Sequence, residues 1–404
     1  MIRKEQLYEQ ILEQIDLTKE TDDEELQELI RTVLDEAADE EYISLSDKIR
    51  IGRELFNSFR KLDVLQELLE DDSITEIMVN GIDHIFYEKE GRIFRSKKCF
   101  LSQERLLDVI QQIVGESNRY VNEASPIVDA RLKDGSRVNV VLNPVAVNGP
   151  ILTIRKFPSE AITMEQLIHI GSVTDEAANF LKKLVAAKYN IFVSGGTGAG
   201  KTTFLNALSN YIPKGERLIT IEDNAELQIQ GVQNLVRLEA RGPNAEGEGA
   251  VTIRDLIKSA LRMRPDRIVV GEVRGEETVD MISSAMLNGH SGSMSTGHAN
   301  NPTDMLHRLE TMMLMGIDLP LQAIQRQVAS ALDIIIHLER LRDKTRKVLQ
   351  IVEVEGYEDG RIQTKVLYEF KEEGMKNGKI QGCLMKKNEI TNKEKLLAAG
   401  YHTN

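Results

Sequence analysis

Residues 191–204, IFVSGGTGAGKTTF, constrain the fold of this chain more than any other stretch. An apolar, β-prone run over residues 189–193 leads into a segment, Gly195 to Thr202, that fits the spacing G-x-x-x-x-G-K-[ST] at every fixed position. Glycines let the backbone turn tightly enough for its N–H groups to wrap a polyphosphate, and a helix that starts at Lys201 points its positive end at that charge. The spacing therefore predicts a strand, a phosphate loop and a helix in direct succession.

The same segment predicts a nucleotide site with ATP and Mg²⁺ as cofactors. Lys201 would reach the β and γ phosphates, and Thr202 would place its hydroxyl on the metal ion. A glycine-rich turn that binds nothing is the alternative, but such a turn needs neither Lys201 nor Thr202. The predicted nucleotide-binding residues are Gly195, Gly196, Thr197, Gly198, Ala199, Gly200, Lys201, Thr202 and Thr203.

Charge is distributed unevenly along the 404 residues, a length that indicates two or three domains. The net charge is −13, and residues 1–43 hold −11 of it, with 4 Lys/Arg against 15 Asp/Glu. We expect this segment to form two acidic amphipathic helices, which either pack on their own domain or dock a partner. An acidic protein also lacks the basic surface that general nucleic-acid or anionic-membrane binding needs.

The cysteines and the hydropathy indicate the compartment. Cys99 and Cys383 are far apart, and neither has a Cys or His at metal-ligand spacing, which favours a reducing compartment and no structural zinc. No apolar run approaches the ~20 residues needed to span a bilayer, and residues 1–10 lack the apolar core of a signal peptide. We therefore expect a cytoplasmic protein without a membrane span.

Hydrophobic patterning divides the chain into four parts. Residues 1–61 are predicted to be an acidic helical extension, and residues 62–158 a small α+β domain of short strands, turns and one helix. Residues 164–345 alternate strands with helices, which predicts an α/β core with a parallel sheet covered on both faces. Residues 346–404 begin with antiparallel strands and end in a Lys-rich tail of no predicted structure.

Three polar clusters accompany predicted buried strands of this core. Residues 222–226, Glu-Asp-Asn-Ala-Glu, follow one strand, Glu272 follows a second, and Thr-Gly-His at residues 296–298 closes a third. The carboxyl ends of parallel strands meet at one edge, where ligands bind in open sheets. Glu226 and Glu272 can there supply the acceptor for an attacking water and the Mg²⁺ shell, while His298 can sense the γ-phosphate. Helix N-caps and a core histidine are the structural alternatives.

Hydrolysis also needs positive charge for the transition state, and the core offers no obvious source of it. The candidates are Arg131, Arg137 and Arg155 on the last strands of the preceding domain, acting at the site of their own or a neighbouring subunit. A solvated strand face is the alternative interpretation. The predicted catalytic residues are thus Lys201, Glu226, Glu272, His298, Arg131, Arg137 and Arg155, and the predicted metal site is Thr202 and Glu272.

Four motifs, in this order, resemble those of the type II and type IV secretion ATPases. They are the phosphate loop at 195–202, ITIEDNAE at 219–226 like the aspartate box, MRPDRIVVGEVR at 263–274 like the variant second nucleotide motif, and STGHAN at 295–300 like the histidine box. The resemblance covers about residues 60–345. EIMVNG at 76–81 and the pattern at 129–139 look like the CpaF-like ATPases of Flp, or tight-adherence, pili.

This resemblance implies a RecA-like core and a homo-hexameric ring that holds ATP between the N-terminal domain and the core. It also implies Glu226 as the general base, the three arginines around the phosphates, and inner-membrane platform proteins of a pilus or secretion apparatus as partners at the cytoplasmic face. Asn224 stands where many pilus motors carry proline, which points away from the retraction branch. Two cysteines cannot form the four-cysteine zinc module of many assembly ATPases.

The leading hypothesis is a hexameric ATPase that hydrolyses ATP to power assembly of a pilus or secretion of proteins across the cell envelope. Two other functions stay open at the level of sequence. The protein can be a closely related type IV secretion or conjugation ATPase, which neighbouring genes would distinguish. It can also be a nucleotide-gated scaffold with little turnover, which a turnover assay would distinguish. A GTPase is disfavoured because the chain has no Asn-Lys-x-Asp segment, and the acidic charge disfavours a nucleic-acid helicase.

Overall fold

The computed structural model of the chain describes residues 4–15, 19, 21–40, 42–157, 161–243 and 248–401. The sequence predicts a linker near residues 158–163 between the small α+β domain and the α/β core, and the first residues of that linker, 158–160, lie outside these ranges. The chain divides into two compact units, Met1–Ser159 and Glu160–Asn404, and each has its own hydrophobic cores. The finer division at residues 61 and 345 stays a prediction.

The first unit opens with three packed helices. They are α1 (Lys4–Gln14), α2 (Asp23–Glu40) and α3 (Leu45–Arg60). Their apolar stripes meet in a core that includes Leu7, Ile11, Leu26 and Leu55, which confirms the two acidic amphipathic helices. Ser44 caps α3, since its hydroxyl accepts from the Asp47 amide at 3.2 Å. The sequence predicts Ile49, Phe56 and Phe59 on one side of this third helix, but Ile49 is 66% exposed, because the inward stripe runs through Ile51 and Leu55.

Among its described residues, the rest of the first unit is a six-stranded antiparallel sheet with helix α5 on one face. The strands are β1 (Ile74–Asn80), β2 (Ile85–Lys89), β3 (Arg92–Arg95), β4 (Ile127–Arg131), β5 (Arg137–Val141) and β6 (Ile151–Arg155), in the order β3-β2-β1-β6-β5-β4. The helices are α4 (Gln66–Glu70), preceded by a 3₁₀ turn at Asp63–Leu65, and α5 (Gln103–Glu116). Alternate strand residues such as Val138 and Ile154 share one hydrophobic core with Leu106 and Ile110 of α5.

Across the described part of the second unit, nine strands form one sheet. They are β7 (Ile191–Gly195), β8 (Arg217–Glu222), β9 (Asn234–Glu239), β10 (Arg267–Val270), β11 (Met294–His298), β12 (Ile334–Arg340), β13 (Arg346–Glu358), β14 (Arg361–Lys376) and β15 (Lys379–Lys386). The order is β15-β14-β13-β12-β7-β11-β10-β8-β9; the strands from β12 to β9 are parallel, and β13 to β15 add on antiparallel. The predicted parallel sheet with antiparallel final strands is confirmed.

Helices cover both faces of this sheet. They are α6 (Met164–His169), α7 (Asp175–Ala186), α8 (Lys201–Ser209), α9 (Ile253–Ala260), α10 (Glu277–Val279), α11 (Pro302–Gly316), α12 (Leu321–Ala331) and α13 (Glu394–Ala398). Residues of α7 and α8 pack on one face, and residues of α9, α11 and α12 pack on the other. Successive residues of β7 serve the two cores in turn, since Ile191 and Val193 belong to the first core and Phe192 to the second.

Three details of the core differ from the prediction. The sequence predicts one regular helix over residues 277–287, whereas the structure begins with α10 and continues as a π-helix, Asp280–Met286, which sequence periodicity does not distinguish from an α-helix. Strand β9 was not predicted, because its exposed and half-buried residues lack a clear apolar run. The tail from residue 371 forms the end of β14, β15 and α13. No helix among the described residues is both long and apolar enough to cross a bilayer.

The sheet brings the predicted polar clusters to one edge. Gly195 at the end of β7 pairs with His298 at the end of β11, and Ile221 of β8 pairs with Val270 of β10. The carboxyl ends of these four parallel strands therefore point in one direction. The phosphate loop, the segment after β8 and Glu272 begin at this edge.

Candidate functional site

The phosphate loop connects the buried strand β7 to α8, as the sequence predicts. Gly198 and Gly200 have φ values of +70° and +92°, a region that side chains with a Cβ rarely adopt. A Cβ atom at Gly195 would collide with the carbonyl oxygen of Leu338 on β12. Glycine is therefore required at residues 198 and 200 for the turn, and at residue 195 for the close approach of β7 to β12.

Lys201 lies at the start of α8 with only 8% of its surface exposed. Its Nζ donates to the carbonyl oxygen of Gly196 at 3.0 Å and lies 3.2 Å from Nδ1 of His298. Thr202 and Thr203 follow in the first turn of α8, both half-buried. The ammonium group is thus held across the mouth of the loop, beside the place where the loop amides would hold a phosphate.

His298 connects Lys201 to Glu272. Because an ammonium group only donates, Nδ1 of His298 must accept from Lys201, and the ring proton is then on Nε2. Nε2 lies 3.0 Å from Oε1 of Glu272, although the angle leaves that buried oxygen without a hydrogen-bond donor. Burial lowers the pKa of His298, and the charge of Lys201 lowers it further, which keeps the ring neutral near pH 7.

Arg274 donates to Oε2, the other carboxylate oxygen of Glu272. Its Nε and a terminal nitrogen donate to Oε2 of Glu272 at 2.9 and 2.7 Å, and its remaining terminal nitrogen lies 3.5 Å from a carboxylate oxygen of Asp223. A polar chain therefore runs from Gly196 through Lys201, His298 and Glu272 to Arg274. Three of the predicted catalytic residues, Lys201, His298 and Glu272, are consecutive members of it.

The segment after β8 is organised by Glu222 rather than by Glu226. Glu222 is 3% exposed, and its Oε2 accepts from the amides of Glu226 and Leu227 at 2.8 and 2.9 Å. Its other oxygen is buried without a hydrogen-bond donor. Burial raises the pKa of Glu222 to about 7, against the opposing effect of the two amides. Glu226 itself is half-buried and close enough to Arg274 to interact with it electrostatically.

We expect Glu222→Gln to abolish a pH dependence of folding stability between about pH 4.5 and 7. Since the folded protein keeps a proton that the unfolded chain releases in this interval, the stability from the protonated carboxyl is present below pH 4.5 and is lost as the pH rises through about 7. Glutamine keeps the accepting oxygen without the charge. Denaturant unfolding at pH 5 and at pH 8 measures this change in each protein. Between these two pH values, the free energy of unfolding of the variant should rise by up to about 3 kcal/mol relative to that of the wild type.

Glu239→Gln is a matched control for this measurement. Glu239 pairs with Glu222 across the outermost strand β9 and is exposed. Its variant should follow the pH dependence of the wild type. An unchanged pH dependence in Glu222→Gln would contradict the assignment of the raised pKa to Glu222.

An open cavity of about 450 Å³ adjoins the phosphate loop. Its lining residues are Gly196, Thr197, His298, Ala299, Asn300, Asp304, His307 and Arg308. The loop and the end of β11 form one side of it, and the first half of α11 forms the other. The sequence interpretation included the loop and His298 but none of the residues of α11.

In the first unit, Arg131, Arg137 and Arg155 form one row across three neighbouring strands. Arg131 of β4 pairs directly with Arg137 of β5, which pairs directly with Arg155 of β6. The row alternates with buried residues of the same strands, so it belongs to the face opposite α5. It continues to Glu76 of β1.

Comparison with known proteins decides the family. The family model described as Type II/IV secretion system protein matches residues 59–392. The chain belongs to this family. It is 35% identical to a putative conjugal transfer protein of Mycobacterium tuberculosis, over 76% of this chain and 87% of the relative. It is 32% identical to the type IV secretion system protein PtlH of Bordetella pertussis, over 74% of this chain and 94% of the relative.

The fold is also shared with a solved structure. The X-ray structure of the Legionella pneumophila ATPase DotB covers 70% of this chain and 78% of that chain, with a TM-score of 0.52 and 21% identity. This likeness confirms the α/β fold with a RecA-like core. As a P-loop member of the Type II/IV secretion system family, the chain is a nucleotide-binding ATPase, which confirms the activity expected from the sequence.

The residues at the edge of the sheet fit a magnesium ion of the kind that this family implies. Mg²⁺ takes one or two protein ligands and otherwise binds water and substrate phosphates. The described residues contain no group of three or more His, Cys, Asp or Glu that could hold a metal by themselves. The Thr202 hydroxyl would be a direct ligand, and the buried Oε1 of Glu272, which accepts no hydrogen bond, would receive a bound water.

Two residues near the loop were missed in the sequence. Nε of Arg346, on β13, donates to the carbonyl oxygen of Gly198 at 2.7 Å. His337, in the middle of the buried strand β12, has Nδ1 2.9 Å from the hydroxyl of Ser194, and burial lowers its pKa. A histidine inside the run IIIHL was a visible signal for His337. Arg346 had no signal, because its contact spans 148 residues.

Proposed function

We propose that this protein is a hexameric ATPase that hydrolyses ATP to power assembly of a Flp, or tight-adherence, pilus. The observation that carries the catalytic part is the polar chain Lys201–His298–Glu272–Arg274 at the phosphate loop. It places a buried ammonium, a neutral imidazole and a carboxylate at the edge where a P-loop holds the γ-phosphate. Family membership supports the same activity.

Each residue of the site has a role in this proposal. Lys201 neutralises charge on the transferred phosphate. His298 senses the γ-phosphate through its hydrogen bonds: Nε2 donates to the phosphate when it is bound, and Nδ1 accepts from Lys201 when it is absent. Glu226 is the general base that orients the attacking water, on a segment that the amide contacts to Glu222 hold in place. Thr202 and Glu272 hold Mg²⁺, which supplies positive charge against the phosphate oxygens.

Arg131, Arg137 and Arg155 supply the remaining positive charge in trans. Their alignment in one row supports a single polyphosphate as their common ligand. Arginine side chains bind phosphate oxygens in a fixed two-pronged geometry, which suits the spread charge of phosphoryl transfer. A ring of six subunits would place this row at a neighbouring phosphate loop and make hydrolysis depend on assembly.

The pilus branch is supported by two segments of the first unit. EIMVNG at 76–81 forms β1 and the turn after it, and the pattern at 129–139 spans the β4–β5 hairpin that carries two of the three arginines. The partners in this proposal are inner-membrane platform proteins, with the ATPase at the cytoplasmic face and no role in nucleic-acid binding. The net charge of −13 supports the last point.

A type IV secretion or conjugation ATPase is the second candidate. The names of the relatives, a conjugal transfer protein and a type IV secretion protein, favour it. Deletion of the gene separates the two functions: loss of surface pili supports the first candidate, and loss of conjugation or of substrate export with intact pili supports the second.

Glu226→Gln and Glu272→Gln are expected to separate nucleotide binding from hydrolysis. An amide keeps the size of each side chain but removes the charge that orients water or the metal shell, so turnover should fall about a hundredfold or more. ATP binding should persist within a fewfold. Phosphate release and calorimetric titration with ATP, both in Mg²⁺, measure the two properties on the same preparation.

Glu239→Gln, at the same edge of the sheet but on the outermost strand, should leave both properties unchanged. If Glu226→Gln or Glu272→Gln stays folded yet loses nucleotide binding, the role given to that residue is wrong. If wild-type protein binds ATP but never releases phosphate, even as an assembled ring, the nucleotide-gated scaffold replaces the motor.

A further inference from the structure

The cavity beside the phosphate loop lies at the end of the site where a γ-phosphate would be. Nζ of Lys201, the group that reaches the β and γ phosphates in P-loops, is fixed between Gly196 and His298. Both of these residues line the cavity. A nucleoside diphosphate held by the loop amides would leave this space open, and a triphosphate would extend into it.

Helix α11 presents a guanidinium group to this space. Arg308 lines the cavity together with Thr197 of the loop, and its side chain is exposed. Among the described residues, no carboxylate oxygen lies within 4 Å of its guanidinium nitrogens, although Asp304 is one helical turn away on α11. The charge of Arg308 also acts on the site electrostatically. Burial has the largest effect on the pKa of His298 and lowers it. The charges of Lys201, Arg274 and Arg308 lower this pKa further, and the charge of Glu272 raises it.

Most arginines near the edge of the sheet are engaged by protein groups. Arg274 is bound by Glu272, and Arg346 donates to the carbonyl oxygen of Gly198. Arg308 therefore differs from both: it is a cation turned toward the cavity, and no carboxylate among the described residues of its unit forms an ion pair with it. A guanidinium in such a place is suited to a ligand with several anionic oxygens.

We infer that Arg308 is a γ-phosphate-binding residue of its own subunit, through which the site distinguishes ATP from ADP. This inference rests on the proposed function. The guanidinium would bind terminal oxygens that ADP lacks, while Asp304 in the same cavity opposes the added negative charge. Since Arg308 belongs to α11, gain or loss of the γ-phosphate would form or break a contact of this helix.

The test compares binding of ADP and of a hydrolysis-resistant ATP analogue, each with Mg²⁺, to the full-length protein by calorimetric titration. Arg308→Gln should weaken binding of the analogue about tenfold or more, because hydrogen bonds between charged groups are lost, and should leave the ADP affinity within about twofold. Asp304→Asn should strengthen binding of the analogue, again with little effect on ADP. Arg262→Gln, an exposed arginine before the opposite end of β10, is the matched control.

The outcomes are distinct. Selective loss of analogue binding in Arg308→Gln, with the opposite change in Asp304→Asn, supports the inference. Equal weakening of both nucleotides, or no change in either, overturns it and leaves the proposed ATPase intact. Failure of the wild-type protein to bind either nucleotide overturns the proposed function and this inference with it. Circular dichroism and the oligomeric state of each variant show whether any loss comes from misfolding or from failed assembly.

Discussion

Lys201→Ala is expected to reduce ATP hydrolysis more than a hundredfold, the scale of effect for a group that stabilises transition-state charge. Its ammonium is buried at the mouth of the loop, 3.0 Å from the carbonyl oxygen of Gly196 and 3.2 Å from Nδ1 of His298. Residues 195–209, the loop and α8, contain no lysine besides Lys201. Phosphate release by the purified protein, measured at saturating ATP, gives the turnover.

Lys258→Ala serves as the control for this substitution. Lys258 is an exposed lysine of α9, and it should keep wild-type turnover when replaced. Thermal unfolding of both variants checks that each remains folded. Near-normal turnover in Lys201→Ala would overturn the assignment of residues 195–202 as the catalytic phosphate loop.

Features encoded by local spacing could be predicted from the sequence. The phosphate loop needs glycine at fixed positions for its turns, and the structure has positive φ at Gly198 and Gly200. The buried strands β7, β8, β10 and β12 are short apolar runs between polar segments, so their positions followed from the hydrophobic pattern. Since parallel strands share one carboxyl edge, the sequence also predicted that the loop, Glu272 and His298 would come together.

Features that depend on contacts across the chain could not be predicted. Glu222 and Glu226 lie in one motif, and no local pattern shows that Glu222 is the buried carboxyl and Glu226 the half-buried one. The sequence could not predict Arg308 as a site residue, because α11 has the pattern of an ordinary amphipathic helix with a polar outer face. The residue types of the π-helix at Asp280–Met286 are also those of an ordinary α-helix, so the sequence does not distinguish the two. In each case the missing information is burial or proximity set by distant elements.

Arg137→Ala is expected to lower turnover about a thousandfold with little change in ATP binding, as for other arginines that act on the transition state of phosphoryl transfer. Arg137 is the central member of the arginine row, between Arg131 and Arg155. If the row acts in trans, each complete site needs the loop of one subunit and the arginines of its neighbour. Turnover per subunit should then rise with protein concentration as rings assemble.

Mixing inactive variants tests the direction of this contribution. Lys201→Ala subunits keep their arginines, and Arg137→Ala subunits keep their phosphate loop. In rings formed from equal amounts, about a quarter of the interfaces would combine an intact loop with an intact neighbouring arginine, so roughly a quarter of wild-type activity should return. A contribution within one subunit predicts no recovery, because every subunit then carries one defect.

The control for this experiment uses the double variant Lys201→Ala/Arg137→Ala in place of Lys201→Ala. Its subunits join the ring but offer no arginine, so activity must stay at the level of Arg137→Ala alone. Recovery with the double variant would show that mixing restores ring stability rather than a catalytic group. Wild-type specific activity that stays constant on dilution to monomers would contradict a shared site altogether, because a monomer has no neighbour to complete it.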